Sequence, residues 1–521
     1  MATVNDPEDA YIDALERQTD VFGQKFGCST SPSFYVIHYD DGAAHWSMYP
    51  WGWDLRYLNL EKGDPTPCGK PIGRGIGICQ KCHQGKGDEI RNTLTILNLR
   101  FNGIGLEGAK HLTNALLDNE TLTTLDIGFN GIGTQAGEYF ANLLRHNKTP
   151  TTLRLSGNEI GEEGTQHLAS ASLQNKVTLT TLYLDANFIG DLGFHHLISV
   201  LQHNKILASL DIGHNEIGPS EIEHFADVLR KNQVLKTLGL RNNDIGIQGM
   251  QYLASALSEN TTLIELNIHD NDIGVEGTQY FRNALQRNQT LMILDFGSNN
   301  IGDQGAHYLA EALQQNQTLT TLDICQNDIS PEGAEYLANA LQQNKALISL
   351  DLYGNRFGSR GAEYFASTLR YNKILTTLDL YGNQIGAQGV QYLATALEQN
   401  ETLTTLNLPR NTIGDEGAQY LANALLYNKT LTDLELYDNN IGSQGAEHIA
   451  IALQQNKTLI SIDLCSNHIG PQGVQHFAKA LRQNQTLRTL DIIHNQILDE
   501  GKRYAKDIRK HNSHLKLRFN Y

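Results

Sequence analysis

The sequence predicts an α/β solenoid: a parallel inner sheet of short strands, an outer layer of helices, and a small α+β cap at the N-terminal end. Three observations carry this. Fifteen asparagines from Asn102 to Asn495 recur every 28 residues, with a single 29-residue step from Asn158 to Asn187. A fixed period in this range marks stacked repeats. Within each period the apolar spacing switches from two, as in a strand, to the 3.6 of a helix. Each repeat therefore has two apolar faces, and only its neighbours in a stack can bury both.

The repeat 375–402 shows each element in turn. Leu375, Leu378 and Leu380 are spaced for a short strand whose leucines point inward. Thr377, Asp379 and Tyr381 alternate with them and point outward, because side chains in a strand have a period of two. Asn383 follows at the strand's end. Its amide both donates and accepts, which suits the turn where the ladder stops. Ile385 returns to the core and Gly386 permits the bend. From Gly389 onward Val390, Leu393, Ala394 and Leu397 share one helical face. Gln399 and Asn400 close the helix, and Leu403 opens the next strand.

This pattern resembles the leucine-rich repeats of the ribonuclease-inhibitor class. That class includes the repeat regions of animal intracellular immune receptors and of Ran GTPase-activating proteins. The resemblance covers residue 94 to the C-terminus and implies a horseshoe of about fifteen repeats. It is specific for fold and says little about function.

The N-terminal part divides at residue 54. Asp6, Pro7 and Glu8 open a helix, with an aspartate cap and proline in the first turn. Residues 34–39 and 44–49 are aromatic and β-branched runs around Asp40-Asp41-Gly42, a hairpin signal. Trp46, Trp51 and Trp53 are all the tryptophans of the chain. They read as the core of a cap, with an exposed aromatic patch as the other reading. Residues 55–93 read as a degenerate capping repeat. Leu55, Leu58 and Leu60 repeat the strand spacing, but the next strand begins 39 residues later, at Leu94. A cysteine-bearing loop replaces the helix. Residues 94–521 form the solenoid and its C-terminal end. Pro150 replaces a strand leucine in the repeat just before the 29-residue step, so a local bend of the stack is expected there.

The loop carries Cys68, Cys79, Cys82 and His83. The Cys-x-x-Cys spacing lets two thiolates reach one ion, so these four are the candidate ligands of a structural zinc. Free thiols in a loop are the other reading. Cys79 to His83 also fits the c-type haem attachment spacing, without an exported context to support it.

The chain has 57 acidic and 40 basic residues and a net charge of −17. Nucleic-acid binding wants a basic face, so neither nucleic acid nor an anionic membrane is expected as a partner. Six cysteines in 521 residues indicate a reducing compartment. The first twenty residues lack the apolar run of a secretion signal. The expected location is the cytoplasm, or a host's cytosol if the chain is a delivered bacterial effector, a class in which such repeats also occur. Nine Asn-x-Thr sequons share one repeat position, so the repeat itself generates them. Nine residues after every repeat asparagine stands a Tyr or a His, which accounts for six of the nineteen histidines without any chemistry.

No phosphate-binding glycine loop, His-Glu-x-x-His or Gly-x-Ser-x-Gly motif is present, so the chain reads as a non-enzyme. Cys28 with His38 or His45 is the nearest approach to a nucleophile and base, and no third member is evident. The informative signal lies on the outward face of the strands. Four residues before the repeat asparagine, nine of fifteen positions are acidic, among them Asp351, Asp379 and Glu435. Two readings stand side by side: a face for a basic partner protein, or aspartates held by neighbouring threonines. Two residues before the asparagine, Tyr353, Tyr381 and Tyr437 cluster, and tyrosine is a favoured interface anchor. Asp351, Tyr353, Asp379, Tyr381, Glu435 and Tyr437 are the candidate protein-binding residues. The expectation is a scaffold with a basic protein partner on its concave face. The alternatives are an enzymatic or regulatory activity in residues 1–90 that uses the solenoid as substrate receptor, and, implied by the resemblance, GTPase activation.

Overall fold

Three residues are all that each repeat commits to the sheet, and the middle one is the buried leucine or isoleucine that the spacing predicted. In the computed structural model, residues 35–38 and 44–47 are described as backbone, and 95–172 and 178–519 in full apart from the side chain of residue 172. The chain divides between Ile189 and Gly190 into two units.

In the first unit, β1 (Tyr35–His38) and β2 (Ala44–Ser47) form an antiparallel hairpin in the register Tyr35 to Ser47, as the two runs around Asp40-Asp41-Gly42 predicted. β2 then pairs in parallel with β3 (Ile96–Asn98), which is followed by β4 (Thr124–Asp126), β5 (Thr152–Arg154) and β6 (Thr181–Tyr183). The strand beside the first full repeat therefore comes from the hairpin. Residues 55–60, expected to form a strand, lie outside the described residues, as do the N-terminal helix, Trp51 and Trp53. Helices Gly105–Leu116, Ala136–His146 and Gly161–Ser172 return the chain between strands.

The second unit repeats the pattern through twelve strands, from β7 (Ser209–Asp211) and β8 (Thr237–Gly239) to β17 (Thr489–Asp491) and β18 (Lys516–Arg518). The strands that carry the candidate site are β9 (Glu265–Asn267), β10 (Ile293–Asp295), β11 (Thr321–Asp323), β12 (Ser349–Asp351), β13 (Thr377–Asp379), β14 (Thr405–Asn407), β15 (Asp433–Glu435) and β16 (Ser461–Asp463). They pair in parallel and in strict register, Leu350 opposite Leu378 and Asp351 opposite Asp379. Leu375, Leu378, Leu380, Leu393 and Leu397 are all buried. Thr377, Asp379 and Tyr381 are half-exposed on the other face.

Two asparagine ladders hold the repeats together. The first is the one the sequence displays. Asn411 is fully buried, and its Nδ2 donates to the carbonyls of Leu380, Leu408 and Pro409 at 2.8, 3.1 and 3.0 Å. Its Oδ1 accepts from the N–H groups of Asn383 and Ile385 at 3.0 and 3.2 Å. One amide thus satisfies backbone groups of its own turn and of the preceding repeat, where the strand ladder has ended. The residue before it is left-handed throughout, for example Arg410 at φ 49° and Asp438 at φ 54°.

Candidate binding face

The outward positions of β10 to β13 carry Asp295, Asp323, Asp351 and Asp379, aligned strand to strand. Adjacent strands lie about 4.8 Å apart. Threonine hydroxyls do not hold these four carboxylates. Each Oδ1 instead accepts the backbone N–H two residues on: Gly297 at 3.2 Å, Cys325 at 2.8 Å, Tyr353 at 2.9 Å and Tyr381 at 2.8 Å. The threonines bond elsewhere, as Thr404 Oγ1 does to the carbonyl of Thr376 at 3.1 Å. An aspartate at this position thus closes the strand end, and that local role is one reason the repeat favours it.

The row is anchored at both ends. His269 Nδ1 lies 3.2 Å from Asp295 Oδ1, and Asn407 Nδ2 donates to Asp379 Oδ2 at 2.7 Å. Gly297 makes room for the first of these contacts, because a Cβ there would collide with the His269 ring and with Cys325 Sγ. Between the anchors the carboxylates press on one another. Burial, then the charges of Asp323 and Asp379, push the Asp351 carboxyl up to about 7. Burial and the Asp295 charge raise Asp323, while burial raises Asp379 against its bond from Asn407. For His269, burial alone would lower the imidazole, but the bond and charge of Asp295 outweigh it and raise it. Burial and the Asp323 carboxylate raise the Cys325 thiol far above its usual range, so it stays a neutral thiol.

The tyrosines form one cluster. Tyr353 and Tyr381 stack with centroids 4.4 Å apart and planes 13° apart. Tyr437 meets Tyr381 at 5.6 Å and 56°. The short side chain of Pro409 stands in the strand-end position between these two tyrosines. Arg410, which the sequence did not single out, places its guanidinium 5.7 Å from the Tyr381 centroid and pairs with Asp438 at 2.9 Å. Arg410 holds a left-handed φ of 49° just before the repeat asparagine Asn411.

The structure therefore brings five of the six candidate residues together: Asp351, Tyr353, Asp379, Tyr381 and Tyr437. Glu435 is exposed on β15, separated from Asp379 by the neutral Asn407. Cys68, Cys79, Cys82 and His83 lie outside the described residues. Among the described residues one set of ligand-type atoms, from Asp463, Cys465 and Asp491, lies within 4.8 Å of one another. Arg518 Nη1 stands 3.5 Å from Asp491 Oδ2 and offsets part of its charge. Among the described residues no helix is long and apolar enough to cross a membrane.

Twelve stretches match the sequence profile of a family described as Leucine Rich repeat: 92–112, 118–141, 146–169, 231–254, 259–281, 287–310, 315–338, 371–394, 399–422, 427–450, 455–478 and 483–501. Together they cover more than half of the chain. No curated protein matches it. Similar solved structures include the leiomodin-1 actin-binding site 2, at 25% identity over 28% of this chain and 87% of that one, with a TM-score of 0.26. A complex of TLR13 with the single-stranded RNA ssRNA13 is 17% identical over 83% of this chain and 64% of that one, with a TM-score of 0.43. The yeast Rad7–Elc1 complex contains a chain 17% identical over 70% of this chain and 89% of that one, also at 0.43.

Proposed function

The chain belongs to the leucine-rich repeat family, and from that premise we propose that it is a non-enzymatic protein-binding scaffold. Its binding centre is the inner sheet face of the second unit. The observation that carries this reading is the cluster of Tyr353, Tyr381 and Tyr437, which places stacked aromatic surface beside the row of four carboxylates. Stacked rings offer rigid apolar area with polar tips, which suits an interface core. The carboxylates favour a partner with lysine or arginine at the contact. The chain's expected location is the cytoplasm of its own cell or of a host.

The test is capture of partners from a eukaryotic cytosol by the intact protein and by single tyrosine-to-alanine variants. Truncating an interface aromatic commonly costs about 2 kcal/mol or more, roughly thirtyfold in affinity. Each of Tyr353→Ala, Tyr381→Ala and Tyr437→Ala should weaken binding by about that factor and leave the melting midpoint nearly unchanged. A partner held equally by all three variants would place the site elsewhere.

Cys68, Cys79, Cys82 and His83 we propose as a structural zinc site. Metal analysis of reduced, purified protein should find about one equivalent, lost in a Cys79→Ser/Cys82→Ser variant. A metal-free protein would end that assignment.

A further inference from the structure

The asparagines of the Asn-x-Thr sequons form the second ladder. Eight of the nine, Asn147, Asn260, Asn288, Asn316, Asn400, Asn428, Asn456 and Asn484, are between 1% and 5% exposed. Each Nδ2 donates to the carbonyl of the leucine 31 residues earlier, at 2.6–2.8 Å. That leucine lies at the C-terminal end of the preceding repeat's helix, where carbonyls have no intrahelical partner. In several repeats the same nitrogen also reaches the preceding asparagine's carbonyl, as Asn288 does to Asn260 at 3.2 Å. Each Oδ1 accepts the N–H groups two and three residues on, as Asn456 does from Thr458 and Leu459 at 3.0 and 2.8 Å, except at Asn147, where Pro150 has no N–H and the Thr149 N–H alone donates, at 2.8 Å. The amide is therefore fully used.

The position serves the fold whether or not it is a sequon. Asn232, Asn344 and Asn372 lack the following threonine, yet their Nδ2 atoms make the same bond to Leu201, Leu313 and Leu341 at 3.2, 2.7 and 2.9 Å.

N-glycosylation bonds Nδ2 to the anomeric carbon of a lipid-linked oligosaccharide. One amide proton is lost and the lipid pyrophosphate leaves. At these eight positions the sugar has no space, and one buried carbonyl loses its donor, which costs about 1–3 kcal/mol per site before any clash. In a glycosylating compartment the sequons are exposed while the chain is still unfolded.

We propose that native folding of this chain and N-glycosylation exclude one another, so the protein reaches its native state only where Asn-x-Thr is not modified. Its partners must then be present on that side of the membrane as well.

The full chain is expressed in glycosylating eukaryotic cells, with and without a fused secretion signal. The form without the signal should be unglycosylated and resist protease. The signal-bearing form should carry glycans on the ladder asparagines, removable by peptide N-glycosidase, and be digested. Blocking lipid-linked oligosaccharide synthesis should restore its resistance. So should replacing the nine sequon threonines by valine, from Thr121→Val to Thr486→Val, which keeps every asparagine. The same variant made without the signal controls for the substitutions themselves. Three results would overturn the proposal: a protease-resistant protein with glycans mapped to ladder asparagines, a signal-bearing form that folds unmodified, or no rescue by the inhibitor.

Discussion

At the scale of single residues, the repeat asparagine is the most demanding position. Asn411 makes three donations and accepts two backbone N–H groups in a fully buried site. Removing it strands several buried polar groups, each worth about 1–3 kcal/mol when unsatisfied. Asn411→Ala should therefore cost roughly 3 kcal/mol or more, read as a fall in the denaturation midpoint. A cost below about 1 kcal/mol would mean that water replaces the amide. Leu498 presents the opposite case. It holds φ at 55° with 68% of its surface exposed, at the position where most other repeats have glycine. A left-handed conformation costs an L-residue about 1–2 kcal/mol, and glycine returns part of that through its freer unfolded chain. Leu498→Gly should therefore stabilise the protein by about 0.5–1 kcal/mol. The backbone character of Asn383 and the need for a bend at Gly386 were legible in the sequence. The reach of each amide into the preceding repeat was not, because a 28-residue spacing does not say which atoms meet.

At the scale of elements, strand pairing turns a repeat preference into an electrostatic row. Asp295, Asp323, Asp351 and Asp379 are brought together only because β10 to β13 pair without a register shift. The groups facing Asp351 are Asp295 on β10, Asp323 and Cys325 at β11, Tyr353 beyond its own strand, and Asp379 at β13. With its carboxyl raised to about 7, the folded protein binds more protons than the unfolded chain from about pH 4 to pH 7. Stability then falls as pH rises through that window and levels off above it. Asp351→Asn keeps an oxygen to accept the Tyr353 N–H. The variant should show a flatter pH profile and be more stable than the natural chain at pH 8. Denaturant melts at pH 5 and pH 8 measure this, and parallel profiles for the two proteins would refute the coupling. The sequence displayed the acidic row but left its holding partner open, since the partner is a backbone N–H, which every residue except proline has.

At the scale of the whole molecule, the 57 acidic and 40 basic residues leave a net charge of −17. Self-repulsion of a chain far from neutrality destabilises its folded state, and salt screens it, with a Debye length of about 30 Å at 0.01 M and 8 Å at 0.15 M. Raising sodium chloride between those concentrations at pH 7.5 should raise the melting midpoint. A midpoint that falls instead would show that attractive ion pairs, such as Arg282–Glu311 and Arg410–Asp438, outweigh the repulsion.

The sequence by itself determined the repeat, the strand and helix within it, and which side chains face inward, because those follow from periods of two, 3.6 and 28 along one chain. It also located Tyr353, Tyr381 and Tyr437 on one face. Only the tertiary structure decided that Tyr381 reaches Tyr437 past Pro409, that Arg410 joins them, and that Asn407 separates Glu435 from the row. It likewise placed the hairpin strand 44–47 beside β3, and committed the sequon asparagines to the helix ends of neighbouring repeats. The physical reason is the same in each case. Periodicity fixes the face on which a side chain emerges, while its direction along the stack is set by the size and charge of residues one and two repeats away.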